Sequence, residues 1–264
     1  MKELGLDKNT IVVFSSDHGE TMCSQHTDDP KNSPFSESMN VPFLVRFPDK
    51  IQPRLDDLML SSPDIMPTLL GLAGLSDSIP ANVQGHNYAP LFFNEKADIV
   101  RPAGALYIQN VDGKKDEDGK VRSYFPSSRG FKSARYTLAL YVDRDNHKLV
   151  KSFLFDDERD PYQMNNLPLE ENKEIVDELC AEMGKVLKEI DDPWYRERIL
   201  SDMIPYDKIK IVVSKLNYPC HNHMIAGVIF WRIMMHLFLS FIGNGYNRFG
   251  FTCLISTHIR LWCP

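Results

Sequence analysis

Acidic residues are absent from the last part of this 264-residue chain. All 36 Asp and Glu lie at or before Asp207, whereas the segment that follows carries six Lys and Arg and no acid. At the acid density of the earlier part, a segment of this length would hold about ten acidic residues. The composition therefore changes near Asp207, and the two parts are interpreted separately.

The chain also lacks a basic surface and a cysteine framework. Its net charge is −6, and the part before the change in composition is the more acidic one, so few Lys and Arg are available to neutralise a phosphate backbone. This argues against nucleic acid as a partner. Only Cys23 and Cys180 precede Asp207, which is too few for a disulfide framework.

No secretory signal is recognisable at the N-terminus, because residues 1–6 have no apolar core. Leu4 and Gly5 are typical of the last turn and glycine cap of a helix. We therefore expect the chain to begin within a domain.

Hydrophobic patterning predicts an α/β domain over residues 1–103. Residues 10–14 form a β-branched and aromatic run that indicates a buried strand, and residues 41–47 are typical of an interior strand in a parallel sheet. Between them, residues 20–40 are polar and rich in turn formers, so a loop is expected. A helix is predicted over residues 62–73, with Ser62 as its cap and Gly74 after its last turn.

A second pattern begins near residue 104. Strands at 105–110, 136–142 and 149–155 are separated by the turn signals Asp112-Gly113, Asp118-Gly119 and Asp145-Asn146, which predicts an antiparallel meander. An amphipathic helix over 170–190 is expected to cover this sheet. The sequence thus divides into the α/β domain, a sheet-and-helix subdomain over 104–207, and a hydrophobic, acid-free tail of uncertain origin over 208–264.

The triplet Asp17-His18-Gly19 directly follows the first predicted strand. A carboxylate and an imidazole can bind a divalent cation, and Gly19 would let the backbone turn sharply. Taken alone, the triplet is weak evidence for a metal site and is better explained by a polar turn at the end of a strand. His86, which follows Gly85, is interpreted as a loop histidine without a chemical role.

The surroundings of this triplet resemble the sulfatase family over about residues 1–207. The matching elements are Ser16-Asp17-His18-Gly19-Glu20, Met22, His26, Lys31, Phe35-Ser36-Glu37-Ser38, Val41-Pro42-Phe43, the helix segment 62–75, Arg135-Tyr136-Thr137-Leu138 and Asp160-Pro161-Tyr162. Their order along the chain is the family's order, which makes the resemblance specific.

The resemblance implies the C-terminal portion of an alkaline-phosphatase-like α/β sandwich, with a C-terminal antiparallel sheet-plus-helix subdomain. It makes Asp17 and His18 two ligands of an active-site calcium ion, and it places His26 and Lys31 on the sulfate ester. The implied substrate is a sulfated small molecule or carbohydrate, and the implied location of the full-length protein is periplasmic or secreted.

Two departures from the family pattern affect what this chain can do. Thr27 stands where the family has glycine, and the C/S-x-P-x-R motif, whose Cys or Ser becomes the formylglycine nucleophile, is absent. The family's remaining metal carboxylates are also absent. We expect the nucleophile and these ligands in sequence upstream, and we expect this chain to be inactive alone, because no covalent step is available to it.

Two rival hypotheses stay open. A phosphodiesterase or phosphonate hydrolase of the same superfamily would use a Thr or Ser nucleophile outside the formylglycine motif. A non-catalytic, membrane-associated remnant would use residues 224–242, where apolar residues favour insertion and Arg232 opposes it. A transmembrane helix there is a weaker hypothesis than read-through or frame-shifted sequence fused to a truncated domain.

Overall fold

The computed structural model describes residues 1–27, 30–109 and 126–203, together with the backbone of residues 259–261. Two four-stranded sheets organise these residues. The first contains β1 (Val12–Ser15), β2 (Phe43–Arg46), β3 (Arg54–Asp56) and β8 (Ile259–Leu261), and the second contains β4 (Gly104–Gln109), β5 (Ser127–Ser133), β6 (Tyr136–Val142) and β7 (Leu149–Asp156). The helices are α1 (Ser36–Met39), α2 (Ser62–Leu72), α3 (Ala89–Phe93), α4 (Lys173–Glu189), α5 (Pro193–Arg196) and α6 (Ile199–Met203).

The first sheet differs from the predicted parallel sheet. Its strand order is β1-β2-β8-β3, and β2 runs antiparallel to β1 and parallel to β8. Phe43 and Val45 of β2 are buried, whereas Leu44 and Arg46 are half-buried, so the strand alternates instead of being apolar on both faces. The prediction of a buried β1 was also wrong, because this strand lies at the edge of the described sheet and is half-buried throughout.

Helix α2 begins where the sequence predicts, with a different cap. Ser61 is the N-cap, and the Asp64 carboxylate accepts hydrogen bonds from the Ser61 amide at 2.9 Å and from the Ser61 hydroxyl at 2.7 Å. Gly74 follows the helix in the left-handed region, with φ of 76°. The predicted cap Ser62 is therefore the first helical residue, and Ser61 with Asp64 satisfies the exposed amides of the first turn.

The second sheet is the predicted antiparallel meander with one additional strand. Its order is β4-β5-β6-β7, and each neighbouring pair is antiparallel. Strand β5 was not predicted, because its sequence, SSRGFKS, is dominated by small and polar residues and contains Gly130. Pairing on both sides compensates for this low strand propensity. The predicted turn at Asp145-Asn146 joins β6 to β7, and the turn signals at 112–113 and 118–119 lie outside the described residues.

Helix α4 covers one face of this sheet, as the sequence predicts. The buried residues of the helix pack with those of β5, β6 and β7 in a single apolar cluster. The cluster includes Phe131, Leu138, Leu140, Leu154, Val176, Leu179, Cys180, Met183 and Leu187. The burial of this many aliphatic and aromatic side chains is the main stabilising contribution to this half of the protein.

The other face of the second sheet meets the connection between β1 and β2. Phe35, which precedes α1, lies edge-on to Phe153 with ring centroids 5.3 Å apart, and it contacts Phe155 at 5.7 Å. Phe35 is 3% exposed. The loop that carries the predicted substrate-binding cation is therefore packed on the second sheet.

Strand β8 is the one described piece of the predicted tail, and it pairs with β2 and β3. Residues 224–242, the candidate membrane segment, lie outside the described residues, so both interpretations of the tail stay predictions. None of the helices in the described ranges is long and apolar enough to cross a membrane. The proposed division at residues 103 and 207 likewise stays a prediction.

Candidate active site

Asp17 lies on the turn that follows β1, and its carboxylate is held by the backbone. The His18 amide donates to Asp17 Oδ1 at 3.0 Å, and the Ser16 hydroxyl donates to the His18 carbonyl at 2.9 Å. The hydrogen bond from the His18 amide lowers the pKa of the Asp17 carboxyl below its ordinary value. Asp17 therefore presents an ionised carboxylate at neutral pH.

The imidazole of His18 is oriented by its own backbone neighbour. His18 Nδ1 lies 2.7 Å from the Gly19 carbonyl oxygen, which can only accept, so Nδ1 carries the proton of the neutral ring. Nε2 then keeps its lone pair and lies 3.7 Å from Asp17 Oδ2, with both side chains about one third exposed. Two acceptor atoms so close together suit a shared cation.

Asp17 offers calcium an oxygen ligand and His18 Nε2 offers a nitrogen ligand, so the pair fits only part of a calcium coordination shell. Calcium takes about six to eight oxygen ligands. Within residues 1–27, 30–109 and 126–203, no group of three or more His, Cys, Asp or Glu is arranged to hold a metal ion. The residues present are thus compatible with calcium but need further ligands.

Gly19 places this turn against α1. Its amide donates to the Ser38 carbonyl oxygen at 2.7 Å, and a Cβ at Gly19 would lie 1.8 Å from the carbonyl oxygen of Glu37. The sequence pointed to Gly19 for its conformational freedom, but its φ is not positive. Glycine is required here because another backbone approaches it, which no pattern within the triplet could indicate.

The loop after the turn has a strained backbone. Met22, Cys23, Gln25 and His26 all have positive φ, a conformation that costs non-glycine residues energy and persists only where surrounding contacts impose it. Gln25 supplies such contacts, since its Nε2 donates to Glu37 Oε1 at 2.8 Å and to the Tyr162 carbonyl at 2.9 Å.

A cleft of about 530 Å³ brings several of the predicted residues together. His18 and Lys31 line it, and Asp17 contacts His18 as described above. His26 is exposed and is not among the described residues that line the cleft. The structure thus associates three of the four predicted site residues and leaves His26 outside the group.

His86 also lines the cleft, on a loop distant in sequence from the predicted residues. Its ring Nε2 lies 2.9 Å from Glu189 Oε1 of α4, and its amide donates to Asp64 Oδ1 at 2.8 Å. The buried carboxylate of Asp64 therefore joins the start of α2 to the His86 loop. His86 is held at the cleft by these contacts, although the sequence alone favoured a histidine without a role.

A buried polar cluster supports the loop from the second sheet. Lys132 Nζ donates to Asp157 Oδ2 at 2.8 Å, to Thr137 Oγ1 at 3.0 Å and to Ser36 Oγ at 3.2 Å. Gln163 Oε1 accepts from the Ser36 amide at 2.6 Å, and its Nε2 donates to Asp157 Oδ1 at 2.7 Å. The first residue of α1 is therefore held through both its side chain and its backbone.

Sequence reasoning missed two polar residues at the cleft, Tyr107 and Gln109. Both lie on β4 and line the cleft, and the Tyr107 hydroxyl lies 3.1 Å from the Asn32 carbonyl oxygen. The sequence does contain a sign of these residues, because apolar and polar side chains alternate along the strand as Leu106, Tyr107, Ile108, Gln109. The alternation indicates that these two side chains share one face of the strand, but not that this face borders a cleft.

Comparison with known proteins agrees with the resemblance seen in the sequence. A family model described as Sulfatase matches residues 1–75. An endo-4-O-sulfatase of Bacteroides thetaiotaomicron is 76% identical over 206 residues, which are 78% of this chain and 41% of that protein. An ulvan-active sulfatase of Formosa agariphila is 33% identical over 198 residues, which are 73% of this chain and 35% of that protein.

Structural comparison points the same way. A sulfatase structure from work on glycosaminoglycan metabolism by Bacteroides thetaiotaomicron has a TM-score of 0.73 at 76% identity, covering 78% of this chain and 42% of that one. The chain spans less than half the length of these relatives. Over the part that it shares with them, the chain belongs to the sulfatase family and has the alkaline-phosphatase-like α/β fold of that family.

Proposed function

We propose that this chain forms part of an enzyme that hydrolyses sulfate esters on carbohydrate. The observation that carries the proposal is the cleft in which His18, with Asp17 against it, and Lys31 come together. The names of its relatives support the substrate class, since one is an endo-4-O-sulfatase and another is active on ulvan. Glycosaminoglycan-type sulfated sugars are accordingly the proposed substrates.

Each site residue has a defined role in this proposal. Asp17 and His18 Nε2 would hold calcium, which when bound polarises the sulfate oxygens. The ammonium group of Lys31 binds the sulfate and stabilises the negative charge that develops on it. His26, which the resemblance places on the ester, would donate a proton or hydrogen bond to the leaving oxygen.

The nucleophile is proposed to be a formylglycine from sequence outside these 264 residues. The segment from Pro126 to Arg129 is not a C/S-x-P-x-R motif, because no Cys or Ser stands two positions before Pro126. The chain by itself is therefore expected to show no turnover of an aryl sulfate. Measurable turnover would contradict this dependence on an external nucleophile.

The metal role is tested by the melting temperature of the chain with and without calcium. With only two ligands the affinity is expected to be weak, about millimolar, so the melting temperature should rise at millimolar calcium. Asp17→Asn should abolish the rise, whereas Asp49→Asn, which alters an exposed carboxylate outside the cleft, should retain it. An equal rise in both variants would show that calcium does not bind at Asp17.

The sequence upstream of Met1 in the coding DNA discriminates between reaction classes. A C/S-x-P-x-R motif there supports the sulfatase, because it supplies the formylglycine precursor. A Thr or Ser nucleophile outside that context would favour the phosphodiesterase or phosphonate hydrolase instead. Solubility that depends on detergent, with no calcium-dependent change in melting temperature, would favour the non-catalytic membrane-associated remnant.

A further inference from the structure

Ser38, the third residue of α1, is a buried serine that contacts both parts of the candidate site. It is 3% exposed, and it lines the cleft together with His18 and Lys31. Its hydroxyl donates to the Lys31 carbonyl oxygen, and its own carbonyl oxygen accepts from the Gly19 amide at 2.7 Å. One residue thus joins the loop of the sulfate-binding lysine to the turn of the proposed calcium ligands.

The position of Ser38 is fixed from the second sheet. Its amide donates to the Phe35 carbonyl oxygen at 2.9 Å, and the Phe35 ring packs against two aromatic rings of β7. The hydrogen bond from Lys132 to Ser36 holds the same helix. The Ser38 hydroxyl therefore ties the backbone of Lys31 to a well-packed part of the protein.

The hydrogen bond of Ser38 is not a general consequence of burying a serine in this segment. Ser33 lies in the same connection between β1 and β2 and is 4% exposed, yet its hydroxyl has no hydrogen-bond partner among the described residues. Another tie between the turn and the loop consists of backbone atoms, from the Thr21 amide to the Pro30 carbonyl at 2.9 Å. The Ser38 hydroxyl is the part of this connection that a substitution can remove.

The spacing between the two parts of the site matters because both act on one sulfate group. In the proposed function, Asp17 and His18 hold the cation that polarises the sulfate oxygens, and Lys31 binds the same group, so the sulfate must reach both at once. A lysine that is in place before the ligand arrives binds it more tightly, since no binding energy is spent on ordering the loop.

We propose that Ser38 is a positioning residue, whose hydroxyl holds the backbone of Lys31 in a fixed position relative to the Asp17–His18 turn. The role of Lys31 in this proposal rests on the proposed function, whereas the contacts of Ser38 do not. Ser38 strengthens sulfate binding through Lys31 and does not touch the sulfate itself.

The test measures sulfate binding and the Lys31 carbonyl group in the full 264-residue chain. Inorganic sulfate is titrated into wild type, Ser38→Ala, Ser38→Thr and the matched control Ser33→Ala, and NMR follows the signals of residue 31 and its neighbours. Lys31→Met establishes that binding takes place at Lys31. The carbonyl carbon shift of Lys31 reports on its hydrogen bond from Ser38, and the melting temperature of each variant reports on its stability.

Ser38→Ala is expected to bind sulfate about fivefold more weakly than wild type. Without the hydroxyl the loop occupies other positions, and if Lys31 is in place in about a fifth of the molecules, the apparent Kd rises by that factor. The Lys31 carbonyl signal should move upfield, because the hydrogen bond is lost. Ser33→Ala removes an unpaired hydroxyl, so it should keep this shift and bind sulfate within about twofold of wild type.

Ser38→Thr separates positioning from stability. It keeps the hydroxyl but adds a methyl group at a buried position, so its melting temperature should fall while its sulfate affinity and its Lys31 carbonyl shift stay close to those of wild type. Sulfate affinities that instead fall in step with the melting temperatures of the variants would show that Ser38 acts through stability alone. That result would overturn the proposal.

Other outcomes separate this proposal from the proposed function. Equal sulfate binding in Ser38→Ala and Ser33→Ala would overturn the positioning role of Ser38 and leave the sulfatase function intact. An unchanged Lys31 carbonyl shift in Ser38→Ala would have the same consequence. Sulfate binding that is absent in wild type, or unchanged in Lys31→Met, would contradict the role of Lys31 in the proposed function and would overturn this proposal with it.

Discussion

The two faces of the second sheet bury an ion pair each, but in different surroundings. Arg129 on β5 points toward α4 and α5, and its guanidinium forms hydrogen bonds of 2.8 to 3.1 Å with the Asp192 carboxylate beside the Trp194 ring. Lys132 lies three positions further along the same strand and points to the opposite face. There it meets Asp157 and the residues that hold α1.

The comparison separates fold stability from site geometry. The Arg129 face is enclosed by apolar side chains, so its ion pair contributes to the packing of helix on sheet. On the Lys132 face, polar side chains lie beside the aromatic contacts of Phe35, and the hydrogen bonds of Lys132 end on the loop that carries Lys31 into the cleft. Because side chains alternate along a strand, a single strand supports both the core and the candidate site.

The largest effect is expected from breaking the pair on the apolar face. Arg129→Met leaves the Asp192 carboxylate buried without its cation, which should lower the free energy of unfolding by about 3–5 kcal/mol. Arg196→Met makes the same change at a surface pair, where the Arg196 side chain is 54% exposed, and should cost less than about 1 kcal/mol. Urea denaturation measures both, and similar losses would contradict the assignment of Arg129 to the core.

A smaller but more local effect is expected on the other face. Lys132→Met should lower the free energy of unfolding by about 2–3 kcal/mol, since Asp157 keeps its hydrogen bonds from Thr137 and Gln163. Hydrogen exchange should accelerate first in residues 31–39, because Lys132 no longer holds Ser36.

The difference between the two faces is tested by where hydrogen exchange accelerates in each variant. At matched unfolding free energy, Arg129→Met should accelerate exchange in α4 and α5 more than in residues 31–39. If both variants show the same pattern, the polar cluster does not position the loop.

The smallest effect on stability is expected from breaking the ion pair between Arg135 and Asp156. Arg135 donates to both carboxylate oxygens of Asp156, at 2.7 and 3.0 Å. These hydrogen bonds hold the pKa of the Asp156 carboxyl below its usual value. Since the carboxylate is stabilised in the folded state, its contribution is complete above the unfolded pKa of about 4 and disappears as pH falls through the lowered folded pKa.

Arg135→Met should therefore lower the free energy of unfolding by about 1–2 kcal/mol at neutral pH. The difference from wild type should be constant above about pH 5 and should shrink as the pH falls below about 4. Urea denaturation at several pH values measures it. A difference that grows toward acidic pH would contradict the assigned direction of the pKa.

Much of the second sheet could be predicted from its sequence, and much less of the first. The strands β4, β6 and β7 and the helix α4 have strong periodic patterns, and the structure confirms them. Strand β5 has no such pattern and forms because two neighbours pair with it. In the first sheet, the apolar run at 41–47 indicated a strand but not its direction, because strand direction is decided by partners distant in the chain.

The candidate site shows the same division. Asp17, His18 and Lys31 are recognisable from local motifs, and the structure brings them to one cleft or into contact with a residue that lines it. His26 was predicted with them but does not line that cleft among the described residues. Glycine is required at position 19 because the backbone of Glu37 packs against it in the folded chain. A Cβ at Gly19 would lie 1.8 Å from the Glu37 carbonyl oxygen, and the sequence does not reveal this contact.

By itself the sequence determined the strands β4, β6 and β7, the helix α4, the candidate ligand pair after β1 and the family, because these depend on local periodicity and on short motifs. Only the tertiary structure decided the antiparallel pairing of β1 with β2, the support of Ser36 by Lys132 and the position of Tyr107 and Gln109 at the cleft. These features depend on contacts between residues far apart in the chain, and such contacts leave no periodic signal in a single sequence.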